Sequence, residues 1–131
     1  MLTNPTQLKE MIMIKYFVTL CLLLLVSGIS MSQSYNNPES IVYDQAADRY
    51  FISNKAGNTI VQLGSDNKMT DFVTTDLNAP KGLLIVGDTL ISVNNTSVQG
   101  FLLCDASRVF NVVIEGAVFM NDVTSDNKGK L

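Results

Sequence analysis

Histidine and tryptophan are both missing from the 131 residues, and proline occurs only three times. Without histidine the chain cannot carry a Ser-His-Asp or Cys-His catalytic group, or a zinc site that needs imidazole. The 9 basic residues are fewer than the 12 acidic ones and form no cluster, which argues against nucleic-acid binding. Hydrophobic residues make up 47% of the chain, as expected for one folded domain rather than a disordered or fibrous chain.

Residues 1–32 have the pattern of an export signal. An apolar run at 16–26 follows Lys15, and it is shorter than the ~20 residues that span a bilayer. Small residues follow this run, and Ser30 and Ser32 predict cleavage between Ser32 and Gln33. We therefore expect a periplasmic or secreted protein without membrane attachment after cleavage. The alternative is an uncleaved N-terminal anchor.

The sequence contains two cysteines, Cys21 and Cys104. Cys21 lies inside the apolar run and follows Leu20, where a lipoprotein signal would have a small residue, so we do not expect lipidation. Removal of the signal leaves Cys104 alone, and the exported chain then has no disulfide framework. The apolar neighbours at 101–103 predict that Cys104 is a buried apolar residue.

After the signal the sequence repeats itself, with a period of about 40 residues that is typical of propeller blades. Residues 38–42 (PESIV) match 80–84 (PKGLL), residues 50–54 (YFISN) match 90–94 (LISVN), and a third copy begins at 120–124 (MNDVT). Gly, Asn and Asp dominate the turns between short apolar segments, and no helical periodicity follows the signal. We predict an all-β domain, a β-propeller fragment of about two and a third four-stranded blades. The alternative is a β-sandwich with accidental self-similarity.

The alignment of the repeats sets the predicted boundaries. The signal covers 1–32 and the incomplete propeller covers 33–131, with blades near 38–76 and 79–116 and a partial blade from 119. The predicted strands, in order, are 40–43, 49–54, 59–63, 69–74, 82–86, 89–94, 98–104 and 109–114. The partial blade is predicted to hold a first strand, a turn and the opening of a second strand. Because this leaves an unpaired edge, we expect the sequence to be a fragment, or to be completed by other copies.

Residues 38–44 (PESIVYD) resemble the first blade of six-bladed propellers of the gluconolactonase (senescence-marker/luciferin-regenerating) family. The chain is also similar to NHL-type repeats, for which 80–82 (PKG) is typical, and Asn121-Asp122 looks like the family's Asn-Asp at the start of a later blade. The resemblance implies that Glu39 ligates a divalent metal in the central channel. It also implies that Asn121 contacts the substrate.

The same positions are also distinguished by their place in the repeat. Glu39, Lys81 and Asn121 hold one slot in three successive repeats, at the start of the innermost strand. In a propeller such slots surround one mouth of the central channel. Carboxylate and amide oxygens suit Ca²⁺ or Mg²⁺. With the roles that the resemblance implies, we predict Glu39 as a metal ligand and Asn121 as a substrate-binding residue, and we add Lys81 as substrate-binding because it holds the same slot. The alternative is that these strand starts are polar because they are solvated.

Two functions follow from these residues. The first is non-catalytic binding of a small-molecule ligand or a protein at the channel mouth. The second is metal-assisted hydrolysis of a sugar lactone or similar ester, in which a metal near Glu39 polarises the carbonyl and activates water. No catalytic residue is identified, nucleic acid is not an expected partner, and a full-length propeller is expected to be a monomer. A misassembled product without function is a third possibility.

Overall fold

The computed structural model describes residues 4–26, 35–126 and 128–131. The chain divides into two units, Met1–Ser32 and Gln33–Leu131. The predicted cleavage site between positions 32 and 33 lies outside the described residues.

The first unit contains helix α1 (Pro5–Val26). The helix begins where the Asn4 side chain accepts a hydrogen bond from Thr6 N at 3.1 Å. Proline suits the first helical position because its missing N–H has no partner there. Among the described residues, no helix combines the length and the apolar content needed to cross a membrane.

The second unit is all-β, as the sequence predicts. It contains two four-stranded antiparallel sheets, in each of which the strands follow one another in chain order. Sheet 1 consists of β1 (Pro38–Asp44), β2 (Arg49–Asn54), β3 (Thr59–Gly64) and β4 (Met69–Val73). Sheet 2 consists of β5 (Leu83–Val86), β6 (Thr89–Val93), β7 (Ser97–Leu102) and β8 (Arg108–Val113). Each strand lies within two residues of its predicted position.

Turn lengths explain why the repeat shortens along the chain. Four residues separate β1 from β2, whereas two separate β5 from β6. The shorter turn brings the second strand of sheet 2 closer in sequence to the first. The offset between matching residues therefore falls from 42 in the first strands (Ile41 and Leu83) to 40 in the second strands (Ile52 and Ser92). Gly87 makes the shorter turn with a φ of 61°, in the left-handed region that glycine adopts without a steric penalty.

The two sheets share one hydrophobic core. We call the face of sheet 1 that carries Phe51 and Ile60 its front, and the face of sheet 2 that carries Leu90 and Phe101 its back; the matching faces in the repeat take the same names. The front of sheet 1 packs against the back of sheet 2. The buried core consists of Phe51, Ile60 and Val73 from sheet 1 and Leu83, Leu90 and Phe101 from sheet 2. Full burial of each such side chain contributes about 1.5–3 kcal/mol, so this contact stabilises the packing of the two sheets.

Two buried asparagines occupy matching positions in the sheets. Asn54 ends β2 and is 3% exposed, and Asn94 directly follows β6 and is 0% exposed. The Oδ1 atom of Asn54 accepts a hydrogen bond from Asn36 N at 3.2 Å, and that of Asn94 accepts one from Asn78 N at 3.1 Å. These bonds fix the segment that precedes the first strand of each sheet. The start of the first strand is therefore held in the same way in both.

Residues 120–126 form no strand, which corrects the predicted first strand of a third blade. In both sheets the first strand pairs with the second one along the chain. Asp126 matches Asp44 in the repeat, so Leu131 matches Arg49 at the start of a second strand. None of the described strands pairs with this segment. The predicted turn is present, since Asp126 N donates to Lys130 O at 2.9 Å.

Cys104 is exposed, which corrects the prediction that it is buried. It lies beyond the end of β7, in the turn that leads to β8. Phe101 is the residue of this segment that enters the core, at 2% exposed. The chain leaves the core after Leu102 and Leu103, which are half-buried, so the apolar run does not extend burial to position 104.

Candidate functional site

The predicted site residues meet at one end of the first strands. Glu39 is the second residue of β1, and Lys81 precedes β5 by two residues. Asn121 reaches the same place through its backbone, because Gly82 N donates to Asn121 O at 3.0 Å. The roles of these residues as ligands of a metal or a substrate remain predictions.

Glu39 forms an ion pair with Lys55. The distance from Lys55 Nζ to Glu39 Oε1 is 2.9 Å, and the two side chains are 30% and 29% exposed. Lys55 is the first residue after β2, and its backbone N–H donates to Asn37 O at 3.1 Å. A partly exposed pair of this kind contributes at most about 1 kcal/mol, so a ligand can separate it at little cost.

Lys81 is a buried lysine, with 0% of its surface exposed. Its Nζ donates a hydrogen bond to Asn95 Oδ1 and lies 4.1 Å from the centre of the Phe119 ring. Its backbone is held on both sides: Lys81 N donates to Val93 O at 2.8 Å, and Lys81 O accepts from Ser53 Oγ at 2.6 Å. The ammonium group therefore has a fixed position with two different partners, an amide oxygen and a ring face.

The charges near Lys81 affect its ionisation. Burial lowers the pKa of Lys81, the neighbouring Lys55 charge lowers that pKa further, and Glu39 opposes both effects. Lys55 Nζ also faces the Phe119 ring, at 5.7 Å from its centre. Phe119 is 63% exposed and lies outside the strands. The sequence placed it at the start of the third repeat but indicated no role for it in the site.

The side-chain contacts of Glu39 and Lys81 occupy matching positions in the two sheets. Glu39 matches Lys81 in the repeat, and Lys55 matches Asn95. The acid–base pair of sheet 1 is thus a base–amide pair in sheet 2. The sequence pointed to Glu39 and Lys81 but not to their partners, Lys55 and Asn95. Both partners directly follow the buried asparagine of their repeat, and this signal was present in the sequence.

Asn121 lines a groove of about 590 Å³ between the front of sheet 2 and the C-terminal segment 120–131. Apart from Asn121 and Asp122, the residues around this groove are apolar. The segment approaches β5 closely, because a Cβ atom added to Gly82 would lie 2.7 Å from Asp122 Cα. A glycine at position 82 is therefore required for this approach.

No protein-family model matches the chain. No curated protein matches it either. The function must therefore be inferred from the geometry of the site itself.

The predicted metal role of Glu39 can be compared with its surroundings. Within the part of the chain that the structure describes, no three Asp, Glu or Cys side chains converge to hold a metal ion. The Glu39 carboxylate is paired with Lys55, and Lys81 adds a second positive charge nearby. Because Ca²⁺ takes six to eight oxygen ligands and Mg²⁺ needs an octahedral set, the described residues alone do not fit either ion. We derive no hydrolytic step through a metal.

Proposed function

We propose that sheets 1 and 2 are consecutive blades of an exported β-propeller of the gluconolactonase/NHL-like type. Three features support this. Each sheet is a four-stranded meander, the front of one packs against the back of the next, and the same buried asparagine precedes each turn after the second strand. The apolar run within helix α1 supports export.

The function that the geometry supports best is binding of a small carboxylate ligand at the starts of the first strands. One observation carries this proposal: two ammonium groups, of Lys55 and Lys81, lie near the carboxylate of Glu39 and share the ring of Phe119. A ligand carboxylate would replace Glu39 at Lys55, and C–H groups of the ligand's carbon chain would contact the ring. The ligand carboxylate would make the same kind of charge-assisted hydrogen bond to Lys55 that Glu39 makes now, so the net gain comes from the nearby charge of Lys81 and from the contact with the Phe119 ring.

Calorimetric titration of the protein with gluconate, and with glucose as the neutral control, tests this proposal. Lys55→Gln should weaken gluconate binding by about tenfold, the equivalent of ~1.4 kcal/mol. Glu39→Gln should strengthen it, because the internal carboxylate that competes with the ligand is removed. Lys68→Gln is the matched control, since Lys68 pairs with Asp66 in an exposed turn and its side chain is 80% exposed. Loss of gluconate binding in Glu39→Gln would contradict the proposal.

The second candidate function is divalent-metal-dependent hydrolysis of a sugar lactone or similar ester. It is favoured by the partial exposure of Glu39 at the strand start, which leaves its carboxylate within reach of a metal ion. The two functions predict opposite effects of one variant. If hydrolysis of gluconolactone requires Ca²⁺ or Mg²⁺ and disappears in Glu39→Gln, the second function is correct.

A further inference from the structure

The back of sheet 1 repeats the pattern that sheet 2 uses for the core. On the back of sheet 2, Ile85, Leu90 and Phe101 lie opposite one another on neighbouring strands. The same register on the back of sheet 1 contains Tyr43, Tyr50 and Leu63. An apolar or aromatic side chain therefore stands at each position that sheet 2 uses to contact sheet 1.

Part of this back face is exposed in the described part of the chain, whereas Ile52 and Val61 on the same face are 4% and 3% exposed. Ile41, Tyr43 and Tyr50 are 62%, 45% and 42% exposed, although their side chains are large and apolar or aromatic. The Tyr43 and Tyr50 rings lie 4.8 Å apart and form a continuous surface. A contiguous exposed patch of this kind is typical of an interaction surface.

The front of sheet 2 carries the complementary pattern. Ile91 and Val98 match Phe51 and Ile60, the residues with which sheet 1 enters the core. Val112 lies opposite Val98 and is 50% exposed. This face forms one wall of the groove that the C-terminal segment 120–131 borders.

We propose that a second copy of the chain docks the back of its sheet 1 onto the front of sheet 2. The occupant follows from the molecule itself, because the same two kinds of face, in the same strand register, already form the core between sheets 1 and 2. The contact is head-to-tail, since the back of sheet 1 in one copy meets the front of sheet 2 in the other.

The C-terminal segment occupies part of this docking surface. Asn121 O accepts the hydrogen bond of Gly82 N, beside the first strand of sheet 2. The position that matches Gly82 in sheet 1 is Ser40, whose Oγ accepts a hydrogen bond at 3.2 Å from the N–H of Leu83, the first residue of β5. A serine side chain at position 82 would clash with Asp122 and so displace the C-terminal segment. It would still allow the first strand of a second copy to dock, because the matching Ser40 already accepts a hydrogen bond from the first strand of sheet 2.

Sedimentation velocity of the full chain over a range of concentrations tests this inference. Ile41→Glu alters the back of sheet 1 and Val112→Glu alters the front of sheet 2, and both residues are exposed, so neither change should affect folding. Because a buried charge is costly, each variant alone should associate at least about tenfold more weakly than the unchanged chain. An equimolar mixture of the two variants should form a dimer, since each retains the face that the other lacks. Gly82→Ser should strengthen association of the otherwise unchanged chain.

The outcomes separate the possible occupants. A monomeric unchanged chain overturns the proposal and assigns both faces to another occupant, such as a further blade or a different protein. Association that persists unchanged in both variants also overturns it, because contacts through α1 or non-specific aggregation would then be responsible. Variants that associate poorly alone but form a dimer when mixed would establish the head-to-tail contact.

Discussion

Arg49 connects the two sheets through its guanidinium group, and its replacement tests how much this connection stabilises the fold. Its Nε lies 2.9 Å from Asp44 Oδ2, and its Nη1 donates to Gln62 Oε1 at 2.8 Å within sheet 1. Its Nη2 donates at 2.6 Å to the backbone O of Leu103, the residue that directly follows β7 of the other sheet. The guanidinium carbon also lies 4.7 Å from the centre of the Phe51 ring, which belongs to the core.

The expected cost of Arg49→Met follows from what the change leaves behind. Methionine keeps most of the apolar stem but removes the positive charge from Asp44, whose side chain is 6% exposed. Removal of one partner of a buried pair costs roughly 3–5 kcal/mol. Asp44 retains a hydrogen bond from Ala46 N at 3.1 Å, and the Arg49 side chain is itself 19% exposed. We therefore expect a loss of about 2–3 kcal/mol in the free energy of unfolding, below that range.

Urea denaturation followed by far-UV circular dichroism measures this loss, since the chain has no tryptophan to report by fluorescence. With a urea dependence of about 1–3 kcal/mol per molar, the midpoint should fall by roughly 1–2 M. Arg108→Met is the matched control, because Arg108 pairs with Asp76 at 3.1 Å on the surface, where the side chains are 39% and 68% exposed. That variant should lose less than about 1 kcal/mol.

Two results would refute this explanation of the role of Arg49. Equal midpoint shifts for Arg49→Met and Arg108→Met would mean that the Arg49 contact between the sheets stabilises the fold no more than a surface ion pair does. A second test adds Asp44→Asn to Arg49→Met, which removes the unpaired charge and should recover about 1 kcal/mol. If the double variant is less stable than Arg49→Met, the buried carboxylate is not the origin of the loss.

Three further predictions concern single side chains and are all measured as changes in urea midpoint. Ser53→Ala should cost about 1–3 kcal/mol, because Ser53 Oγ donates a hydrogen bond to Lys81 O. Ser92→Ala should cost less than about 0.5 kcal/mol, since the buried Ser92 hydroxyl has no hydrogen-bond partner among the described residues. Gly100→Ala should cost about 1–3 kcal/mol, because its Cβ would clash with the Phe110 ring. A second change, Phe110→Leu, should recover part of this loss. Burial lowers the pKa of Lys81 from its ordinary value of 10.5, so the folded chain loses this proton at a lower pH than the unfolded chain does. The free energy of unfolding should therefore rise with pH between the lowered pKa and 10.5. A rise of equal size in Lys81→Met would contradict this.

The strands were predictable from the sequence because the signals that define them are local. Turn residues and short apolar segments repeat at a spacing that turn length alone adjusts, and Asn54 and Asn94 mark the same point in each sheet. The errors arose where a distant partner decides the outcome. Cys104 follows an apolar run but lies beyond the strand, and residues 120–126 match a first strand but pair with none of the described strands. The bond from Arg49 to Leu103 joins residues 54 positions apart, and no local pattern predicts it.

The candidate site combines a predictable position with an unpredictable chemistry. The repeat identified Glu39 and Lys81 as matching residues, but a spacing cannot indicate which side chain faces each of them. Lys55 pairs with the acid and the exposed ring of Phe119 lies against the base, so the slot to which the resemblance assigns a metal ligand contains one carboxylate and two ammonium groups. The sign of the effect of Glu39→Gln on ligand binding therefore decides between the two functions, because an internal competitor and a metal ligand respond to its removal in opposite directions.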